Sequence, residues 1–320
     1  MRINRNIRTA AIVICIPVLY AFVLRYIFDV DSLNGIFSIM SITFLALLPA
    51  GVGALAVGLS SVEKVKKIPY AIFFPWVPIL AFFVLTLLLS IEGWACWLMI
   101  LPVFLIMSSI GGLIARAYKN RKRDKLYTVS ILLLPLLLSP VEHMIGALPT
   151  TYTANTYIDI NAPREKIWSN VTRVRTIDKS QDKGWLTRFL GFPRPIRAEL
   201  NYEGVGATRA AIFDKGLVFH EQVLEYIPLQ KMVFSIKVYP YEIPSTTMDK
   251  HVVVGGNYFD VLDGTYEIEQ LSGNKYRLHL FSHFKLHTTF NSYAGFCSTL
   301  IMKDIQNNIL QVIKRRAEQE

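Results

Sequence analysis

Hydrophobic and polar positions obey two different rules in the two halves of this chain. Up to about residue 150 the apolar residues run almost continuously, in stretches at 9–28, 36–59, 68–90, 94–114 and 126–148. Each holds the ~20 residues that cross a hydrocarbon core. A multi-pass α-helical membrane domain with about five spans is therefore predicted over residues 1–150. From residue 151 the pattern shifts to period two, and it closes on a helical period. Over 290–316, Tyr293, Cys297, Leu300, Ile301, Ile305, Ile309, Val312 and Ile313 fall on one stripe, with Ser298, Lys303, Gln306, Asn307 and Lys314 opposite. That spacing predicts a long helix lying on something, not crossing a membrane.

What the helix lies on is legible just upstream. Strands are predicted at 155–160, 196–202, 207–213, 217–226, 231–239, 258–270 and 275–287. The turn signals Glu203-Gly204, Asp214-Lys215-Gly216, Ile227-Pro228 and Ser272-Gly273-Asn274 separate several of them. Residues 150–154 read as a polar connector. Asn161 reads as the cap of a helix with Pro163 in its first turn and Trp168 and Val171 facing inward. Residues 173–195 read as loop with short helices, and 241–257 as an insertion suited to be a lid. One long helix held by a curved antiparallel sheet, an α+β helix-grip domain over 151–320, encloses a cavity.

At this point the chain resembles a known group. The segments "IDINAPREKIW", "GATRAAIFDKGLVFHEQVLEYIP" and "HLFSHFKLHTTFNSYAGF" resemble the START-related (SRPBCC-type) superfamily, in its polyketide cyclase/dehydrase and lipid-transport branch. The resemblance covers about residues 155–317 and leaves the membrane half unassigned. It implies a deep, mostly apolar pocket between sheet and last helix that takes lipids, sterols, polyketides or similar molecules. It does not fix a chemistry, because folds of this kind host carriers, sensors and enzymes.

Charge sharpens the membrane half. Its thirteen Lys and Arg against six Asp and Glu leave +7 of the total +10, so +3 falls in the second half. The basic residues sit at the N-terminus (Arg2, Arg5, Arg8), in the second loop (Lys64, Lys66, Lys67) and in the fourth (Arg116 to Lys125). The first and third loops carry Asp29, Asp31 and Glu92. The alternation predicts an integral membrane protein, of the bacterial inner membrane by its compact loops, with a cytoplasmic N-terminus. Five spans then make the C-terminal domain extracytoplasmic; were 126–141 re-entrant, it would return to the cytoplasm. The basic balance is thus a property of membrane-flanking loops, and no nucleic-acid partner is expected. Arg25 is expected to snorkel, Glu92 to lie in a turn and Glu142 to reach the interface. Cys15, Cys96 and Cys297 give no disulfide framework or metal spacing, and Cys297 reads as filler on the buried stripe.

Candidate chemistry is sparse. On 217–226, Phe219, Glu221 and Val223 share one face, and the neighbouring strand offers Arg209 flanked by Ala211 and Phe213. A Glu–Arg pair across adjacent strands satisfies two buried charges internally; fixing register, touching a ligand and acid/base work all remain open to it. His279, His283 and His287 share a strand face but stand ~13 Å apart, too far to hold one ion. His283 is placed at the pocket mouth, and His251 lies in the insertion. The ligand-binding set is Arg209, Glu221, His251, His283 and, from the last helix, Tyr293. No catalytic residue, metal site or cofactor is assigned, since no nucleophile elbow, phosphate loop, dinucleotide fingerprint or His-Glu-x-x-His occurs.

The expected function is membrane-anchored binding or transfer of a hydrophobic small molecule, lipid foremost, with the bilayer as a further partner. The alternatives are a cyclase, dehydratase or hydrolase acting on an apolar carbonyl compound, with Glu221 or His283 as base, and a ligand-dependent sensor. The sensor would dock a protein partner through the patch around Phe189-Leu190-Gly191-Phe192; a homo-oligomer is a further option.

Overall fold

The computed structural model describes residues 5–120, 126–239 and 253–319. Two compact units divide the chain, Met1–Ala147 and Leu148–Glu320.

The first unit is helical: α1 (Arg5–Asp29), one π-turn (Thr43–Leu47) running into α2 (Leu48–Leu59), short α3 (Val62–Val65), α4 (Ile68–Phe73), α5 (Trp76–Leu88), α6 (Trp94–Asn120) and α7 (Leu126–Ile145). Among the described residues, three helices are long and apolar enough to cross a membrane: Ala11–Asp29, Ile68–Leu88 and Trp94–Asn120. Thr43–Leu59 and Ser130–Ile145 are shorter apolar helices. The stretch predicted at 36–59 starts late for a local reason. The hydroxyls of Ser38 and Ser41 accept hydrogen bonds from the Met40 and Phe44 amides at 3.1 and 3.0 Å, an arrangement that competes with helix upstream. The Glu142 carboxylate, expected at the interface, then accepts from the Ile42 and Thr43 amides at 2.7 and 2.9 Å. It satisfies donors that a helix start leaves without partners.

Helices α2 and α6 touch backbone to backbone. A Cβ on Gly53 would stand 1.9 Å from the Ser108 carbonyl oxygen, and one on Gly111 equally close to that of Ala50. Small residues at such crossings are how apolar helices associate where lipid offers no hydrophobic drive. Arg25 does not snorkel. Buried to 3% exposure, it donates to Glu92 at 2.6 Å and pairs with Asp29 at 2.9 Å, which internalises its charge.

The second unit runs β1 (Thr150–Asn161), α8 (Arg164–Thr172), β2 (Arg173–Val174), α9 (Leu186–Leu190), β3 (Pro195–Leu200), β4 (Thr208–Phe213), β5 (Val218–Ile227), β6 (Lys231–Lys237), β7 (Phe259–Ser272), β8 (Lys275–Leu286) and α10 (Asn291–Gln319). The strands form one antiparallel sheet in the order β1-β8-β7-β6-β5-β4-β3-β2. This half-barrel curls around α10, which is the helix-grip arrangement. The supposed connector at 150–154 is strand, because Thr150, Thr151 and Thr153 are β-branched and pair with Leu286, Lys285 and His283. Asn161 caps no helix. It ends β1 and donates its amide to the Glu318 carboxylate at 2.9 Å, while α8 starts at Pro163 with no side-chain cap. The insertion at 241–257 falls largely outside the described residues.

Along α10 the buried stripe is Gly295, Met302, Gln306, Leu310, Ile313 and Ala317. Phe296 and Leu300 point out, at 62% and 45% exposure. The sequence pattern put Leu300 inside and Gln306 outside. The reverse holds because Gln306 finds polar partners beneath it.

Residues 176–187 form a strap laid antiparallel along α10. Arg316 donates to the Thr176 carbonyl at 2.8 Å and Arg315 to that of Gln181 at 3.2 Å. The Lys183 and Gly184 amides donate to the Asn308 side-chain oxygen at 2.7 and 3.0 Å, and the Thr187 amide to Asp304 at 2.9 Å. Asp182 fastens its middle, taking hydrogen bonds from Arg194 at 2.8 Å and from the Asn308 amide group at 2.8 Å.

Candidate functional site

Between the concave face of the sheet and α10 lies a narrow cavity of about 80 Å³. Its walls are mostly apolar. Phe213, Phe219, Phe234 and Leu280 come from the strands, Met302, Ile305 and Ile309 from the helix, and Ile177 and Pro195 from the strap side, where exposed Arg197 marks the outer end.

Besides Arg197, five polar side chains break this lining: Arg209, Glu221, Tyr266, Ser282 and Gln306. Arg209 and Glu221 stand directly opposite each other on β4 and β5 and are 5% and 6% exposed. The Arg209 Nε donates to the Glu221 carboxylate, and its Nη1 to the Val171 carbonyl at 3.1 Å. Aromatic rings flank the guanidinium, which lies 4.8 Å from the Phe234 centroid and 5.7 Å from that of Tyr266. Gly264 makes room for this, since a Cβ there would come within 2.3 Å of the Phe234 ring. Burial pushes the Glu221 carboxyl up, against the pull of Arg209. For Arg209, burial works against the charge, but Glu221 and Tyr266 together outweigh it and the guanidinium stays protonated. The pair is therefore self-neutralising inside an apolar wall.

Gln306 organises the second polar point. Its amide donates to Ser282 Oγ at 2.9 Å and to the Ala154 carbonyl at 3.3 Å, and its oxygen accepts from Thr156 Oγ1 at 3.1 Å. Its hydrogen-bonding groups are thus engaged inside the fold, while the Ser282 hydroxyl, which accepts from it, keeps its own proton to donate. Gln306, Ser282 and Tyr266 were not read as site residues from the sequence. Even-numbered alternation on β8 (Leu278, Leu280, Ser282, Phe284) was a signal for Ser282. The three-four spacing Gly295-Thr299-Met302-Gln306 was one for Gln306.

The other site candidates disperse. His283 belongs to the odd-numbered face of β8, away from the cavity, where its Nδ1 lies 2.7 Å from the Asp263 carboxylate and its side chain is 44% exposed. His279 likewise meets Glu269 at 3.1 Å outside. Tyr293, in the first turn of α10, is half-buried beside Cys297 and does not line the cavity; burial, then Cys297, pushes its hydroxyl up. Cys297 is itself only half-buried, and burial raises its thiol as well, which disfavours the nucleophilic thiolate. His251 lies outside the described residues. Among the described residues no cluster of three His, Cys, Asp or Glu side chains could hold a metal ion.

The convex face carries a larger hollow, about 560 Å³, floored by Glu199, Thr208, His220, Gln222 and Lys237. Its floor is mostly polar, so a ligand there buries little apolar surface. The apolar cavity is the better site on physical grounds.

No family model matches this sequence, and no curated relative is found. Solved structures similar to it include a truncated norcoclaurine synthase from Thalictrum flavum, 12% identical, covering 54% of this chain and 96% of that one with a TM-score of 0.34. The Aha1 dimer from Colwellia psychrerythraea is 17% identical, over 52% of this chain and 97% of that one, with a TM-score of 0.30. DynU16, a protein in the dynemicin biosynthetic locus, is 12% identical over 52% of this chain and 48% of that one, again at 0.30.

Proposed function

We propose that this chain is a membrane-anchored binding protein whose helix-grip domain takes up a hydrophobic small molecule, lipid foremost, between the sheet and α10. The observation that carries the reading is an apolar cavity interrupted by a buried Arg209–Glu221 pair and by Ser282. Apolar burial at about 25 cal/mol per Å² supplies affinity, and the polar groups orient one end of the ligand. At about 80 Å³, the cavity is well under the roughly 300–1,000 Å³ of drug-sized sites. Uptake of an acyl chain therefore requires the wall to spread. The part proposed to give is the strap with two-residue β2, where hydrogen bonds to α10 supplement the packing of Val174 and Ile177. The same reading includes five membrane segments, with the domain outside the cytoplasm of a bacterial cell.

The test is native mass spectrometry of the full-length protein released from detergent, with extraction of what co-purifies. A discrete adduct of lipid mass is expected, and Ala211→Phe, which fills the cavity, is expected to remove it. An adduct-free chain that takes up no added lipid, or an adduct unchanged by Ala211→Phe, would sink the reading. A second reading, acid/base catalysis on an apolar carbonyl compound, draws on the burial-raised Glu221 carboxyl in the cavity wall. It loses His283 as a base, and unchanged turnover in Glu221→Gln would remove it altogether.

A further inference from the structure

The side of the helix-grip domain built by α9 and the first half of α10 presents large apolar side chains to the outside. Trp185 and Phe189, one turn apart on the strap and α9, are 71% and 56% exposed; Phe296 and Leu300, one turn apart on α10, are 62% and 45% exposed. The hydrogen bonds of the strap fix how they meet. Thr176 lies beside Arg316, Gly184 beside Asn308 and Thr187 beside Asp304. The next residues of this antiparallel lay bring Phe189 alongside the Leu300 turn. Exposed Lys183, Arg188, Lys215 and Lys303 rim the face. The acids of the same region are turned inward: Asp182 to Arg194, Asp304 to Thr187 and Asp214 to the Arg194 amide.

A second observation says what lies opposite. The first residue of α10, Asn291, donates to the Leu148 carbonyl at 2.7 Å and to Thr150 Oγ1 at 3.0 Å, and its own carbonyl accepts from Tyr152. Phe296 and Leu300 thus sit within about 8 and 14 Å, along the helix axis, of the point where the chain leaves for its apolar helices. Four apolar side chains with a tryptophan, a basic rim and an adjoining membrane tether together match the interfacial zone of a bilayer with anionic headgroups.

We propose that the face formed by Trp185, Phe189, Phe296 and Leu300, rimmed by Lys183, Arg188 and Lys303, rests in the headgroup layer of an anionic bilayer. It holds the strap side of the cavity at the lipid. The assignment rests on the membrane-anchored part of the proposed function and is independent of what the cavity holds.

Full-length protein is reconstituted into vesicles of phosphatidylcholine, alone or mixed with phosphatidylglycerol, with and without acyl chains brominated near the headgroup. The chain has five tryptophans, so the Trp185 signal is taken as the emission difference between the native chain and Trp185→Phe. Co-flotation of protein with vesicles reports anchoring by itself. With anchoring established, the Trp185 difference is expected to lose more than half its intensity to brominated lipid in the phosphatidylglycerol mixture, less in phosphatidylcholine alone, and less again in Phe296→Ser/Leu300→Ser. A Trp185 signal untouched by brominated lipid but quenched by iodide overturns the proposal. So does concentration-dependent cross-linking between copies through this face, which would assign it to a second copy of the chain.

Discussion

At the scale of single residues, the domain rests on two buried polar groupings with opposite tolerance for change. Glu221→Leu leaves the Arg209 guanidinium without its counter-charge between two rings, and is expected to cost about 3–5 kcal/mol in chemical unfolding. Arg209→Met/Glu221→Leu together should recover most of that loss, since apolar isosteres of buried pairs are often neutral. A double variant as unstable as the single one would show that the pair does more than neutralise itself. Gln306→Leu is expected to destabilise by about 1–3 kcal/mol, because Ser282 Oγ and the Ala154 carbonyl lose the Gln306 donor inside the fold and Thr156 keeps only its longer contact to the Leu280 carbonyl. The Arg209–Glu221 contact was legible in the sequence: period-two alternation put both on inward faces and the Asp214-Lys215-Gly216 turn set the register. Gln306 was not, because an apolar count along a helix rewards Leu300 and cannot see a hydroxyl waiting on the sheet. His283 was misplaced against the same alternation, which sets it with His279 and His287 on the outer face.

Elements carry a different kind of dependence. Burial alone would raise the Asp182 carboxyl, but hydrogen bonds and charge from Arg194, with help from Arg188, outweigh it and hold the group below the ordinary Asp range. The folded strap therefore binds this proton less readily than an unfolded one. Its stabilisation is fully present above about pH 3.9 and is lost as pH falls through the depressed value. Amides of Lys183, Gly184 and Thr187 are expected to lose hydrogen-exchange protection on acidification before those of β7 and β8, and Asp182→Asn should weaken the strap at neutral pH and flatten its acid response. Uniform loss of protection across the domain would contradict this. In the helical unit, Gly111→Leu drives a side chain into the Ala50 backbone. The expected outcome is loss of the monodisperse species on size exclusion in detergent, while Leu113→Ala, on an exposed position of the same helix, leaves it intact. Strand positions and the long last helix were readable because their periods extend over many residues. The strap was not, since its order comes from side chains of α10 more than a hundred positions away.

For the whole molecule, continuous apolar runs that give way to period-two alternation near residue 150 pointed to a helical half and an α+β half. Run length overestimates helix length where serines bond their own backbone, as at Ser38 and Ser41. The sidedness proposed above depends on five segments crossing, and one experiment checks it. With Cys15, Cys96 and Cys297 replaced, a single cysteine at exposed Asn201 or Lys275 is expected to react with a membrane-impermeant maleimide from outside intact cells. Reaction only after lysis would return the domain to the cytoplasm and remove one of the segments.

The sheet order also sets a timetable. β1 is the first strand of its domain to leave the ribosome, yet its neighbour in the sheet is β8, with Asp159 meeting Arg277 across 118 residues of chain, and its cover is α10. During synthesis β1 therefore waits as an unpaired edge while almost the whole domain is still being made. Translation pauses or truncations ahead of Lys275 would expose that edge to other chains, so the stretch most prone to mispairing in the nascent protein is the one that later joins its two halves.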